Sequence, residues 1–448
     1  MFEISIDQHL MYDLDKNGLG QCTLLCGSLL IPRKIDIKEL QRAANKLFEK
    51  DSALRACFIE KEGKVFQDTK PFVEKEFEVK YFKNKEELDK FGEVYGTIPL
   101  KLEIKSEGEG YPESKWRYPK APTMLVIKQF IHDVKMFFTT MRMGMLNRER
   151  TCCEIILFEM PDACGAIIKI NHVVSDAWSM MLIADHFVKL LNGEEIESYE
   201  YKEHIDNQNK YYTSERFVKD NEFMDKEAEK CPKKTWLWPK ARTSTICRRR
   251  TYVFTSEMTE AINEYCKEKN TTPAMLFTAA ISMFARRKIQ KDNFYIGTVS
   301  LGRSSYKEKN TIGYFVKLIP MLIELDQNDS FIETIEKINK KSLNVFRHQN
   351  ANYRILDDNS FMFDLVVSYQ NATLDVDPSI ICTQYYCNYS PGDTFALSIE
   401  DRSSEGKYKM YFDYNIKVSE KELDEMLNTI VEVIDKVTKD DSIKISEL

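Results

Sequence analysis

Apolar positions along the chain recur with two different periods, and the changes of period predict its elements. From about Ile37 to Glu49, Leu40, Ala43, Ala44 and Leu47 fall at i, i+3, i+4 and i+7, the stripe of a helix that buries one face. Gln21 to Ile31 reads as a strand, and the preceding Ser5–Tyr12 as a short amphipathic helix. Residues 59 to 85 read as a charged hairpin region with Glu62-Gly63 as its turn. A strand from Thr151 to Met160 and a turn over Pro161–Gly165 lead to a short run, Ala166-Ile167-Ile168-Lys169-Ile170, whose β-branched residues predict a buried strand. Trp178 to Leu191 is then helical, stopped near Asn192-Gly193.

The second half repeats the alternation. A helix is predicted from Ser256 to about Lys267, with Asn270-Thr271 capping a more apolar one, Ala274–Ala285, that has Pro273 in its first turn. That second helix is apolar enough to be buried on most faces. Two apolar segments, Phe294–Arg303 and Thr311–Pro320, follow, and then Phe363–Asn371. A hairpin (Phe395–Glu400 with Tyr408–Tyr414) and a closing helix, Glu420–Lys436, end the chain. Between Asn192 and Cys247 the composition turns charged and polar, which marks the place for an interdomain crossing.

At 448 residues there is enough chain for two domains with cores of their own, and 43% apolar with 30% charged residues describes a folded globular protein. A net charge of −7 gives no whole-chain reason to bind nucleic acid. One basic stretch, Lys233-Lys234-Thr235-Trp236-Leu237-Trp238-Pro239-Lys240-Ala241-Arg242 followed by Arg248-Arg249-Arg250, suits either a carrier-protein or coenzyme-phosphate contact or a charged edge guarding the strand Thr251–Phe254. Eleven cysteines without a Cys-x-x-Cys framework, two of them adjacent at Cys152-Cys153, read as reduced, buried small residues. The first residues lack a basic segment followed by an apolar run, and no apolar stretch is long enough to span a bilayer, so a cytoplasmic location is expected.

The candidate chemistry lies in Asn171-His172-Val173-Val174-Ser175-Asp176-Ala177-Trp178-Ser179. A histidine at the end of a buried strand can meet a substrate proton with one ring nitrogen while the fold holds the other, as a general base requires. The spacing His-x-x-x-Asp alone is common by chance, and a hydrogen-bonded structural histidine is the plainer reading of it. His172, Asp176 and His186 also form an incomplete metal-ligand set for a hydrolase, without a convincing third ligand.

The residues around His172 resemble those of the condensation-domain superfamily, which includes nonribosomal-peptide condensation domains and chloramphenicol-acetyltransferase-like enzymes. Its signature is His-His-x-x-x-Asp-Gly; here His172 and Asp176 match, while Asn171 stands for the first His and Ala177 for the Gly. The opening Ser5-Ile6-Asp7-Gln8-His9-Leu10-Met11-Tyr12 matches the family's Ser-x-x-Gln-x-x-Met-Tyr. Asp51–Phe58, with Leu54-Arg55, is similar to its Arg-His-x-x-Leu-Arg segment. Ile296-Gly297 to Arg303, then Ile312-Gly313-Tyr314-Phe315-Val316, resemble Ile-Gly-x-Pro-x-x-x-Arg and Ile-Gly-x-Phe-Val-Asn in the expected order. Arg347–Tyr353 and Phe363–Asn371 resemble the later His-Gln and Ser-Tyr-Gln-Asn segments.

The resemblance implies an α/β fold of two chloramphenicol-acetyltransferase-like subdomains arranged as a V-shaped pseudo-dimer. With the crossing placed by composition, the chain divides into 1–195 (with an insert at about 105–148), a crossing segment 196–247, and 248–448. The resemblance implies amide- or ester-forming acyl transfer from a phosphopantetheine thioester, on a carrier protein or coenzyme A, to an amine or alcohol, with no permanently bound cofactor. His172 would be the base or orienting residue, and Asp176 with Arg303 a structural anchor. Backbone groups near Ala177 and Trp178, with Ser368, would supply oxyanion or tunnel contacts. Alanine accepts a positive φ poorly, so a turn that needed the family's glycine would be distorted at Ala177. A degenerate, carrier-binding homologue therefore stands as the alternative function. Within the insert, Pro122 to Met145 reads as a helix: a lid over an acyl channel, a peripheral membrane contact through 122–146, or an ordinary packed helix.

Overall fold

The protein is described by a computed structural model that covers residues 1–16, 20–108, 134, 138, 141, 149–231, 234–241, 246–351, 362–370, 381–388, 394–401 and 406–448. The strands in chain order are β1 (Phe2–Glu3), β2 (Leu24–Ile31), β3 (Ala56–Lys61), β4 (Lys64–Thr69), β5 (Val79–Tyr81), β6 (Ile104–Glu107), β7 (Cys153–Glu159), β8 (Cys164–Asn171), β9 (Cys247–Val253), β10 (Asn293–Ser300), β11 (Lys317–Glu324), β12 (Leu365–Gln370), β13 (Ile381–Tyr385), β14 (Phe395–Glu400) and β15 (Lys409–Asn415). The helices are α1 (Ile6–Leu14), α2 (Ile37–Lys50), α3 (Lys85–Tyr95), α4 (Ala177–Leu191), α5 (Tyr201–Tyr212), α6 (Glu215–Lys230), α7 (Ser256–Glu268), α8 (Pro273–Ile289), α9 (Tyr306–Lys309), α10 (Phe331–Arg347) and α11 (Glu420–Val437).

Contacts divide the chain into two units. The first holds Met1–Tyr212 together with Leu301–Val316 and Ala372–Ser390; the second holds the remainder. This differs from the division at 195 and 247 drawn from composition, because two later segments join the first unit. Strand β13 pairs with β2, and Arg303 reaches Asp176. Composition does not register such long-range pairings.

The first unit is built on a five-stranded sheet ordered β13-β2-β8-β7-β5. All eight residues of β8 are buried, as expected of a central strand covered on both faces. Leu40, Ala44 and Leu47 of α2 and Ile183, Phe187 and Leu190 of α4 pack on one face with Ile168 and Ile170. Leu88 and Tyr95 of α3 pack with Ile167 and Phe158 in a separate cluster. A smaller sheet, β1-β4-β3-β6, carries a hairpin over Ala56–Thr69, shorter than the 59–85 expected, with the expected turn made by Glu62 (φ 51°) and Gly63 (φ 72°). Arg55 is a structural clamp: its guanidinium donates to the carbonyls of Phe48, Glu49 and Lys70.

The second unit has a six-stranded sheet, β11-β10-β12-β14-β15-β9, with α8 as its most buried helix from Leu276 to Ala285. The cap of α8 is Thr272, whose hydroxyl accepts from Met275 N–H, rather than Asn270-Thr271; Asn270 has φ 50° at the end of the preceding helix. Trp238 is buried and stacks on Phe395 at 4.7 Å, and the N–H groups of Leu237 and Trp238 donate to Asp364 at 2.7 and 2.6 Å. Arg248, Arg249 and Arg250 lie on the edge strand β9, paired with Glu420, Asp413 and Asp424. These ion pairs line the strand edge with charge.

The helix expected over 122–145 falls mostly outside the described residues. Val134, Phe138 and Met141, which are described, are helical and exposed. Among the described residues no helix is long and apolar enough to cross a membrane.

Candidate active site

Strand β8 ends at Asn171, and a single 3-10 turn, His172–Val174, joins it to α4. Asn171 caps that turn: its Oδ1 accepts from Val173 N–H at 2.9 Å, and its Nδ2 donates to Asp15 at 2.7 Å. The residue that replaces the family's first histidine thus holds the loop. The other ties come from far along the chain. His172 N–H donates to Thr23 O at 2.6 Å, and Gln8 Nε2 donates to Val173 O at 2.9 Å. Ser175 Oγ donates to Asn171 O at 2.9 Å.

The His172 ring is partly exposed and lies edge-on to Tyr314, with centroids 5.1 Å apart. Its Nδ1 is 2.6 Å from Ser175 O. A carbonyl only accepts, so Nδ1 carries the proton and Nε2 presents its lone pair. Burial lowers the imidazole's pKa below 6.5, against the raising effect of the Ser175 carbonyl and Asp176. The ring is therefore neutral at neutral pH, the form that can take a proton.

Asp176 points away from this function. It is the N-cap of α4, with Oδ1 accepting from Ser179 N–H at 2.8 Å. Its Oδ2 accepts from Arg303 Nη1 at 2.5 Å and from Phe315 N–H at 3.0 Å. Burial pushes the carboxyl up, but the Arg303 charge and these hydrogen bonds outweigh it and hold the pKa below 3.8. Arg303 spends its other donors on Ser179 Oγ and the carbonyls of Glu308, Thr311 and Gly313, and lies 4.0 Å from the Phe315 ring centre. This latch needs its glycines. Gly302 has φ 68° and a Cβ there would meet Phe315 O at 1.9 Å; one on Gly313 would meet the Tyr201 ring at 2.1 Å.

The distortion expected at Ala177 does not occur. Ala177 is the first residue of α4, and the only non-glycine residues with positive φ among those described are Glu62, Asn270 and Gln290. Its carbonyl accepts from Tyr385 Oη at 3.0 Å. The Trp178 indole donates to Lys309 O at 2.8 Å, so that side chain braces the loop before Gly313. Ser368 lies on β12 in the second unit, where its hydroxyl accepts from Gln370 Nε2 at 2.6 Å. His186 is not gathered with His172: it is buried, with Nδ1 2.9 Å from Asp51. Among the described residues no cluster of His, Cys, Asp and Glu is arranged to hold a metal.

Asp15, Thr23, Gln8, Ser179 and Tyr201 are the site residues whose roles the sequence did not reveal. Gln8 and Ser179 stand inside stretches singled out for other reasons; Asp15 and Thr23 carry no local signal.

The condensation-domain family model matches residues 137–448. Tyrocidine synthase 3 of Brevibacillus parabrevis is 20% identical over the whole chain, and surfactin synthase subunit 1 of Bacillus subtilis (strain 168) is 23% identical over 56% of it. The chain spans 6% and 8% of those two proteins. Among solved structures, the condensation domain of the monacolin K polyketide synthase MokA superposes with a TM-score of 0.78 at 11% identity, over 99% of this chain and 98% of that one. The first condensation domain of the calcium-dependent antibiotic synthetase, in complex with a substrate analogue, gives 0.78 at 14% identity, over 100% and 98%. A double mutant of the starter condensation domain of rhizomide synthetase RzmA, in complex with C8-CoA and Leu-SNAC, gives 0.75 at 12% identity, over 100% and 96%. The fold is that of two chloramphenicol-acetyltransferase-like subdomains, and the chain belongs to the condensation-domain family.

Proposed function

We propose that the protein is an acyltransferase in which His172 takes or orients the proton of an amine or alcohol as it attacks an acyl thioester. The observation that carries this reading is the hydrogen bond from His172 Nδ1 to Ser175 O, which leaves Nε2 as the acceptor on a partly exposed, neutral ring. The nucleophile's lone pair forms the new bond to the thioester carbonyl carbon while its N–H or O–H proton passes to Nε2. Collapse of the tetrahedral intermediate breaks the C–S bond, and the proton leaves with the thiolate as a thiol. The N–H groups of Ala177 and Trp178 open α4 and suit the developing oxyanion, since the first turn of a helix leaves its donors unpaired within the helix.

The rhizomide starter domain's ligands, C8-CoA and Leu-SNAC, motivate testing an acyl donor of medium length against an aminoacyl acceptor here. Acyl-loaded carrier proteins and acyl-coenzyme A are the donors to compare, with amines and alcohols as acceptors. His172→Ala is expected to lose about 10²–10⁴-fold in rate with the fold intact. Full turnover by that variant would remove the catalytic role. A folded wild-type protein that binds loaded carrier yet turns over no donor would favour the carrier-binding alternative.

A further inference from the structure

We propose that Asp15 is a positioning residue for His172: through Asn171 and Thr23 it fixes the turn that keeps Nδ1 as the protonated nitrogen and Nε2 as the base. This rests on the acyl-transfer reading of His172, and it adds a group that no part of the His-x-x-x-Asp motif contains. Asp15 sits at the C-terminal end of α1, 156 residues before Asn171 in sequence. Its Oδ2 accepts from Asn171 Nδ2 at 2.7 Å and from Thr23 Oγ1 at 3.1 Å. Both donors lead directly to His172. Asn171 caps the 3-10 turn that begins with it, and Thr23 supplies the carbonyl that receives its backbone N–H at 2.6 Å. The carboxylate therefore grips the turn from two sides, one strand apart, since Leu24 of β2 pairs with Asn171 of β8.

The pairing also accounts for the departure from the family motif. An amide at position 171 can accept from Val173 N–H with its oxygen and donate to a carboxylate with its nitrogen, and both contacts are made. Burial pushes the Asp15 carboxyl up to about 6, with the Asn171 and Thr23 hydrogen bonds opposing that rise, so it is ionised in the neutral range and its hydrogen bonds are charge-assisted. Gly20 closes the other side; a Cβ there would stand 3.1 Å from Asp15 Oδ2.

The test reverses the pair. Asn171→Asp puts two carboxylates face to face, while Asp15→Asn with Asn171→Asp restores one donor and one acceptor in the opposite sense. At about pH 8, the single Asn171→Asp variant is expected to lose about 10–100-fold in kcat, the scale of losing a group that orients a reacting residue, with KM little changed. The double variant should recover most of the loss. In protein labelled with 15N-histidine, the His172 ring should read as Nδ1-protonated in the wild type and the double variant, and as a mixture of tautomers in Asn171→Asp. Asp15→Ala serves as the second disrupting variant if Asn171→Asp unfolds. Unchanged kcat and tautomer in a folded disrupting variant, or a reversed pair no better than Asn171→Asp alone, overturns the proposal. The tautomer is read without substrate. A wild-type protein without acyl transfer therefore defeats the functional reading alone, and an unmoved tautomer defeats the positioning role alone.

Discussion

Nη1 of Arg303 lies 2.5 Å from Oδ2 of Asp176, with 0% and 2% of the two side chains exposed. Two charges so far from water are stable only as a pair, and each is also hydrogen-bonded to a fixed backbone group: Phe315 N–H for the acid, Glu308 O for the base. The pair fastens the start of α4 to the segment 303–315, and so determines where the helix after His172 begins. Removing one partner strands the other, at a cost of about 3–5 kcal/mol. Asp176→Ala and Arg303→Ala should each destabilise by that order in chemical denaturation, and the double variant by clearly less than the sum. Strict additivity would mean that the two side chains do not depend on each other.

The pH dependence follows from the lowered pKa of His172. Only the neutral ring has a lone pair on Nε2, so kcat/KM should rise with pH through a value below 6.5 and level off above it. The sign is that of a base that must lose its proton to act. A profile that falls over this range, or an inflection well above 7, contradicts His172 as the base.

Restoring the family's glycine should not help. Ala177 already occupies the first turn of α4 without a positive φ, so Ala177→Gly adds only flexibility, at about 0.5–1 kcal/mol of stability. Turnover at saturating substrate should stay within about twofold, which is about 0.4 kcal/mol on the activation barrier. A large gain in activity would show that the turn needs a glycine conformation during the reaction.

The exposed side chains Val134, Phe138 and Met141 fall at helical spacing. Replacing all three with serine should leave the melting temperature nearly unchanged, since substitutions of exposed side chains usually change stability by about 0.5 kcal/mol or less each. A lid or membrane role would instead appear as altered relative rates across acyl-chain lengths or lost binding to lipid vesicles. A marked fall in melting temperature would return these residues to the packed-helix reading.

Much of the secondary structure was legible because burial imprints a period on sequence. The stripe Leu40, Ala43, Ala44 and Leu47 gave α2, whose observed range is Ile37–Lys50, and the β-branched run before Asn171 marked β8. Composition was ambiguous elsewhere. It did not show that Trp238, standing among lysines, is drawn into the core by Asp364 and Phe395. The cap of α8 is one residue later than read, because Thr271 and Thr272 are chemically alike and only the backbone chooses between them.

The sequence by itself determined which histidine to examine, which acid follows it, and the family to which the chain is similar, because motifs are local and keep their spacing. It could not determine which nitrogen of His172 is free, since that depends on where the Ser175 carbonyl lies after the 3-10 turn. Nor could it show that Asn171 works as a cap tied to Asp15, or that Ala177 is helical without strain. Those are products of tertiary structure. Hydrogen bonds between residues more than a hundred positions apart select one geometry of a short turn, and that geometry sets the chemistry of the ring.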